Sequence, residues 1–167
     1  MSDVRIRRAG EHDLPALLDI YNYYVLNTHI TFDVEPRTLA QRQEWFSHFG
    51  LAGRYQCFVA VRDDLPIGWA SSHPFKDRAA YGTSVETSVY LTEREKGRGI
   101  GRSLYAALLT ALGEEDVHRA FGGIAQPNEA SVRLHLASGF TQAGLFEEVG
   151  RKFGKYWNVS WYQRVMR

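Results

Sequence analysis

Apolar residues change their spacing several times along this chain, and each spacing predicts a different element. They first recur every three or four positions, at Leu14, Leu17, Leu18, Tyr21 and Val25. This spacing predicts an amphipathic helix with Asp13 at its N-cap and Pro15 in its first turn. Thr38 and Gln41 are spaced as a capping box, which predicts a second helix beginning after Thr38. Its apolar face would carry Leu39, Phe46 and Phe49.

Strand-like runs surround two further helical patterns. Short apolar or alternating stretches predict strands over about 4–7, 57–62, 65–73, 83–91, 119–125, 140–149 and 156–165. A four-residue repeat after Gly99 predicts a third helix, and Asn128 and Gly139 mark the start and end of a fourth. Asp63 and Asp64 fit a tight turn between the second and third strands. Helices interleaved with strands predict an α/β fold whose sheet carries helices on both faces.

The composition predicts one ordered domain, spanning residues 1–167, and excludes several classes of function. Hydrophobic residues make up 44% of the 167 positions and aromatic residues 13%, which is enough for a sizeable core. The net charge of +1 argues against a protein that binds nucleic acid or a membrane surface mainly through charge. The longest uncharged runs, 20–32 and 134–146, are shorter than the roughly 20 residues of a membrane helix.

The single cysteine, Cys57, lies in an apolar run, which favours a core residue over a reactive thiol. One cysteine forms no internal disulfide, and the chain opens without an apolar signal-like stretch, so we expect a cytoplasmic protein. The 6 histidines have no zinc-binding spacing, and we expect no metal. A G-x-S-x-G motif is also missing from the sequence, which argues against a serine hydrolase.

The most informative stretch is 96–102, Lys-Gly-Arg-Gly-Ile-Gly-Arg, which follows a predicted strand and opens a predicted helix. Glycines allow close backbone approach, while helix N–H groups and neighbouring cations attract negative charge. The stretch therefore predicts a pyrophosphate site. A Walker loop needs glycine at position 102, where this chain has Arg102. The dinucleotide fingerprint needs glycine at position 102 or at position 104, which is Leu104. Both phosphate-binding motifs are therefore excluded.

What remains is the pattern K-x-x-G-x-G, which resembles the coenzyme A loop of the GNAT superfamily of N-acetyltransferases. The family usually has glutamine or arginine where this chain has Lys96. The resemblance implies a mixed, mostly antiparallel central sheet with helices on both faces, and acetyl-CoA as co-substrate. It places the pyrophosphate against Gly97, Arg98, Gly99, Ile100, Gly101 and Arg102.

A second segment, from Asn128 to His135 and then Gly139-Phe140, resembles the superfamily pattern N-x-x-A-x-x-L-Y…G-F, with Ser131 in place of alanine. Other segments, at 20–22, 31–33, 78–81, 84–90, 133–135 and 149–154, are similar to the phosphinothricin and methionine sulfoximine acetyltransferases. This similarity runs from about residue 4 to 164. It implies a small amino-acid analogue as the amine substrate and a homodimer with acceptor sites near the subunit boundary.

Acetyl transfer to an amine needs a base, and Glu86 is the candidate. Strand alternation puts Glu86 with Ser88 and Tyr90 on one face, where partial burial would raise the pKa of the carboxyl. The alternative is a structural Glu86 paired with an arginine of a neighbouring strand. His135 stands where many family members have the tyrosine that protonates the leaving thiolate; alternatively it is bonded locally or lines the coenzyme groove.

The resemblance assigns the remaining contacts. It implies that the pantetheine arm pairs with the backbone of Val89, Tyr90 and Leu91, with the Val89 N–H as oxyanion donor. Asn128 would cap its helix and bond the same arm. An acceptor carboxylate calls for cations, and we expect substrate contacts from Lys76, Asp77 and Arg78, with Glu86, Thr87 and Ser88. The alternative for the charged trio is an ordinary solvated turn.

These observations favour an acetyl-CoA-dependent N-acetyltransferase that acts on the α-amine of a small amino-acid analogue. Two alternatives stay open: another acceptor, such as a polyamine, an aminoglycoside or a protein N-terminus, and a non-catalytic acetyl-CoA-binding module. The aromatic run 157–163 predicts a homodimer. The residues that would then reach the neighbouring subunit's pocket are Lys152, Phe153, Gly154 and Tyr156. An internal strand covered within one subunit is the alternative for that run.

Overall fold

The computed structural model describes residues 3–166, which form one seven-stranded sheet and four α-helices. The strands are β1 (Arg5–Arg8), β2 (Cys57–Arg62), β3 (Leu65–Pro74), β4 (Ser84–Leu91), β5 (Arg119–Ala125), β6 (Thr141–Lys152) and β7 (Lys155–Val165). The helices are α1 (Leu14–Asn27), α2 (Leu39–Ser47), α3 (Ile100–Gly113) and α4 (Glu129–Ala137). Every element predicted from the sequence is present, with small shifts at some ends.

The strand order is β1-β2-β3-β4-β5-β7-β6, and only the β4–β5 pair is parallel. The predicted mixed, mostly antiparallel sheet is therefore confirmed. β4 and β5 pair only where Ser84–Glu86 faces Arg119–Phe121. Beyond that point β4 continues to Leu91 paired only with β3, and β5 continues to Ala125 paired only with β7, so the sheet splits in its middle.

Helices cover both faces of the sheet, as predicted. Buried residues of α3 form one core with residues of β3, β4 and β5, and α1 forms the second core with β2 and β3. The buried side of α1 includes Ile20 and Tyr24, whereas the predicted Leu18 is only half-buried. Of the predicted apolar face of α2, Phe46 and Phe49 pack against the second core, whereas Leu39 is 42% exposed and the buried residue of the helix is Arg42.

Two of the three predicted helix N-caps are formed, and the third residue has a different role. The Gln41 N–H donates to Thr38 Oγ1 at 3.2 Å, and the Ser131 N–H donates to Asn128 Oδ1 at 3.2 Å, so both predicted caps are formed. Asp13 precedes α1 but makes no side-chain cap. It is 1% exposed and accepts two bonds from Arg7, at 2.7 and 2.8 Å, which tie β1 to the start of α1.

Candidate active site

A cleft of about 360 Å³ opens where β4 and β5 separate. Its walls come from the second half of β4, the loop before α3, the end of β5 and the first turns of α4. Apart from Arg98, the structure brings all predicted coenzyme residues to this cleft: Val89, Tyr90, Leu91, Gly97, Gly99, Ile100, Gly101, Arg102 and Asn128. Thr87, Ser88 and His135 also line it. The cleft thus brings together the loop before α3 and the start of α4, which are separated in the sequence by α3 and β5.

The loop before α3 has the backbone that its glycines allow. Gly97 and Gly99 have φ angles of 75° and 78°, in the left-handed region that favours glycine, and Gly99 is the N-cap of α3. The first N–H groups of α3 have no acceptor within the helix, so they are available to an anion. Arg98 turns away from the cleft, and its guanidinium lies 3.8 Å from the buried carboxylate of Glu95.

Glu86 lies half-buried on the sheet face that α1 and α2 cover. Its neighbours in register are His73 on β3 and Phe121 on β5. Among residues 3–166 no arginine or lysine pairs with its carboxylate, so the alternative of a structural ion pair has no partner there. Burial raises the pKa of Glu86, which improves its capacity to accept a proton at neutral pH. Glu86 itself does not line the cleft, but the next two residues do.

His135 is 5% exposed, and both of its ring nitrogens are engaged. Nδ1 lies 2.7 Å from the Ser131 carbonyl, which can only accept, so Nδ1 donates there and Nε2 accepts from the Tyr105 hydroxyl at 2.9 Å. The Tyr105 hydroxyl is also 2.8 Å from Thr87 Oγ1. Burial lowers the pKa of His135. The geometry favours local bonding and lining of the groove, since the neutral ring has no free proton for a thiolate.

Sequence reasoning missed the residue that makes room for this histidine. A Cβ on Gly122 would lie 2.3 Å from His135 Nε2, so only glycine allows the ring to pack against β5. A glycine pair inside a strand was the available signal, because such glycines often mark the close approach of another group.

The charged trio predicted for the acceptor lies on the connection between β3 and β4. Lys76, Asp77 and Arg78 are all exposed. The connection is fixed next to Glu86, since Phe75 stacks on Phe121 with ring centroids 4.3 Å apart. The trio therefore directly follows a residue that packs on the register partner of Glu86, and its contact with a substrate stays a prediction.

The connection between α1 and α2 forms a further wall that the sequence analysis did not identify. Ile30 lines the cleft, and His29 stacks on Trp157 of β7 at 4.2 Å between ring centroids. The Lys152 ammonium donates to the Thr31 carbonyl at 2.8 Å and is 4% exposed. The prediction that Lys152 reaches a neighbouring subunit was wrong, because the side chain is buried against its own chain.

Residues 3–166 contain neither a cluster of metal-ligating side chains nor a helix that could span a membrane. No group of three or more histidine, cysteine or acidic side chains is placed to hold a metal ion. None of the helices in that range is long and apolar enough to cross a membrane.

Comparisons with known proteins agree with this geometry. Residues 6–161 match the acetyltransferase (GNAT) domain family. The chain is 50% identical over 167 residues to a phosphinothricin N-acetyltransferase of Streptomyces coelicolor, covering 99% of this chain and 98% of that protein. It is 33% identical to an L-methionine sulfoximine/L-methionine sulfone acetyltransferase of Pseudomonas aeruginosa, covering 95% of this chain and 92% of that protein.

Solved structures give the same result. A GNAT superfamily phosphinothricin acetyltransferase of Sinorhizobium meliloti, in complex with acetyl-CoA, superposes with a TM-score of 0.92 at 30% identity, covering 99% of this chain and 89% of that one. The fold and the cleft define an acetyltransferase. More narrowly, the chain belongs to the GNAT acetyltransferase family.

Proposed function

We propose that this enzyme transfers the acetyl group of acetyl-CoA to the α-amine of a small amino-acid analogue. The acceptors we name are phosphinothricin, methionine sulfoximine and methionine sulfone, because proteins named for these activities align with 95% or more of this chain. The observation that carries the proposal is the cleft at the β4–β5 split, which has an anion-binding helix start at one end and Glu86 beside the other.

Coenzyme binding, deprotonation of the amine and stabilisation of the oxyanion each have a candidate group. The α3 N-terminus and its glycines bind the pyrophosphate of the co-substrate. Glu86, with its raised pKa, takes the ammonium proton of the acceptor, directly or through a water. The Val89 N–H stabilises the developing oxyanion. His135 supports the cleft wall through Tyr105, which leaves protonation of the thiolate to another donor or to solvent.

An amine panel with a thiol-release assay tests the proposal. Phosphinothricin and methionine sulfone should be acetylated faster than spermidine or an N-terminal peptide. The double variant Lys76→Ala/Arg78→Ala should raise KM for the amino-acid analogues, because their α-carboxylate loses its cations. A preference for spermidine would favour a different acceptor, and acetyl-CoA binding without turnover on any amine would favour a non-catalytic binding module.

We also propose a homodimer formed through β6 and the β6–β7 turn. β6 is an edge strand, and large apolar side chains on it and next to it are exposed: Leu145, Phe146, Val149, Phe153 and Tyr156. Such a patch on an open edge favours association. β7 itself is an internal strand, and Trp157 is half-buried. The exposed patch therefore lies mainly on β6 and the β6–β7 turn, and not on the run 157–163 that the sequence predicted.

Light scattering at micromolar concentration tests the dimer. We expect a mass near 38 kDa, twice the 19.0 kDa of one chain, and Phe146→Asp with Val149→Asp should reduce it to one chain. A wild-type mass of 19.0 kDa would refute the dimer.

The buried, unpaired Cys57 needs no oxidising compartment, and we propose that the enzyme works in the cytoplasm.

A further inference from the structure

Three buried side chains form one hydrogen-bonded chain at the point where the sheet splits. Thr87, Tyr105 and His135 are 4%, 0% and 5% exposed. They come from β4, α3 and α4, which also supply walls of the cleft. Because a buried polar group that loses its partner costs free energy, a chain of this kind fixes the positions of the elements that it joins.

The protons in this chain have a consistent direction. The Tyr105 hydroxyl gives its single proton to His135 Nε2, so Thr87 must be the donor at the 2.8 Å contact between its Oγ1 and the Tyr105 oxygen. Thr87 Oγ1 also lies 3.2 Å from the carbonyl of Phe121 on β5, which shares the same proton. At the other end, His135 Nδ1 donates to the Ser131 carbonyl. The chain therefore runs from β5 through β4 and α3 to α4.

Thr87 is the residue at which the two strands part. Glu86 and Phe121 are the last partners in the β4–β5 register, and Thr87 is the next residue of β4. Its hydroxyl bonds to the Phe121 carbonyl across the gap. The side chain thus joins the strands where the backbone pairing stops, and the cleft opens beyond it.

Each member of the chain lies close to a predicted coenzyme contact on its own element. Val89 follows Thr87 by two residues, on the same face of β4. Gly101 lies one turn before Tyr105 on α3, and Asn128 lies two turns before the histidine on α4. A shift of any member would therefore move a wall that contacts the coenzyme.

We propose that Thr87, Tyr105 and His135 are positioning residues, which hold the walls of the cleft at the separation that acetyl-CoA requires. The inference rests on the proposed function. Without the chain, the walls would adopt several separations, and the apparent affinity would fall in proportion to the fraction of molecules with the correct one. Binding of the acceptor should change less, because Glu86 points to the other face of the sheet from Thr87.

Calorimetric titration with acetyl-CoA tests the chain through variants that nearly keep the size of each side chain. Tyr105→Phe and Thr87→Val each remove two hydrogen bonds, so each should raise the Kd for acetyl-CoA at least about fivefold. Thr87→Ser keeps the hydroxyl, and its Kd should stay within about twofold of the wild-type value. KM for phosphinothricin, measured at saturating acetyl-CoA, should change less than about threefold in all three variants.

A chain that only stabilises the fold predicts a different result. Asp13→Asn, at the start of α1 and outside the cleft, weakens two bonds from Arg7 and should lower the melting temperature without changing the Kd. If Tyr105→Phe and Thr87→Val do the same, the inference is overturned while the proposed function stands. If Tyr105→Phe does not fold, the ratio of the Kd of Thr87→Val to that of Thr87→Ser decides in the same way. A wild-type enzyme that does not bind acetyl-CoA removes the proposed function, and the role of the chain with it.

Discussion

Replacing Gly99 with valine should have a small effect on stability, through backbone strain, and a large effect on affinity for the coenzyme. Gly99 has a φ of 78°, and no described protein atom lies within 4 Å of a Cβ built there. Without coenzyme, the change should therefore cost only the strain of a side chain in the left-handed region, about 1–2 kcal/mol. For a chain of this length that corresponds to a fall in melting temperature of roughly 2–8 °C.

The effect on coenzyme affinity should be much larger. A side chain at position 99 stands where the backbone must approach the pyrophosphate. Loss of two hydrogen bonds to a charged group, at roughly 1.5–3 kcal/mol each, raises the Kd for acetyl-CoA by about 10²- to 10⁴-fold. Gly101→Val should also weaken binding, but a Cβ there would lie 3.3 Å from Leu134 Cδ2, so it disturbs the contact between α3 and α4 as well.

Calorimetric titration with acetyl-CoA measures this prediction, and Gly113→Ala is the matched control. Gly113 ends the same helix, its Cβ would meet no described atom within 4 Å, and its φ lies outside the left-handed region. Alanine there should leave the Kd unchanged and stabilise the fold by up to about 1 kcal/mol. A Gly99→Val variant that binds acetyl-CoA within threefold of the wild type would refute the pyrophosphate assignment.

Three further predictions concern stability. Gly122→Ala puts a methyl group 2.3 Å from His135 Nε2, and urea unfolding should show a loss of about 2–4 kcal/mol; a loss under 0.5 kcal/mol would contradict the packing described. Burial alone would raise the pKa of Asp13, but the bonds and charge of Arg7, the bond from the Gly10 N–H and the charge of His12 together outweigh burial and lower it. Asp13→Asn should therefore reduce the melting temperature at pH 7, with a deficit that closes as pH falls below about 4, and equal deficits at pH 7 and pH 3 would oppose this. Burial raises the pKa of Glu86, so its charge costs stability at high pH, and Glu86→Gln should raise the melting temperature more at pH 8 than at pH 4; the reverse order would count against the burial of this carboxylate.

The sequence predicted the elements that depend on local patterns. Thr38 and Asn128 form their caps because each bonds to an N–H three residues ahead, which a single stretch of sequence contains. The loop at 96–102 was identifiable for the same reason, since left-handed glycines followed by a helix start are a local pattern.

Contacts between elements that are distant in the sequence could not be predicted from it. Arg42 occupies a position on α2 that the sequence gives no reason to bury, and only the packing against Trp69 of β3 does so. The bond from Tyr105 to His135 links residues 30 positions apart on two helices. Asp13 had the residue type and position of a cap, but its burial opposite Arg7 gave the carboxylate a stronger partner.

The turnover of Glu86→Gln with phosphinothricin and acetyl-CoA, followed by thiol release from pH 6 to pH 9, tests the catalytic role of Glu86 most directly. We expect turnover to fall by about 10²- to 10⁴-fold at pH 7, the range for losing a general base, with acetyl-CoA affinity unchanged. The deficit should shrink as pH rises, because more of the amine is then neutral without help. Turnover near the wild-type value at pH 7 would contradict the role of Glu86 and make it a structural residue.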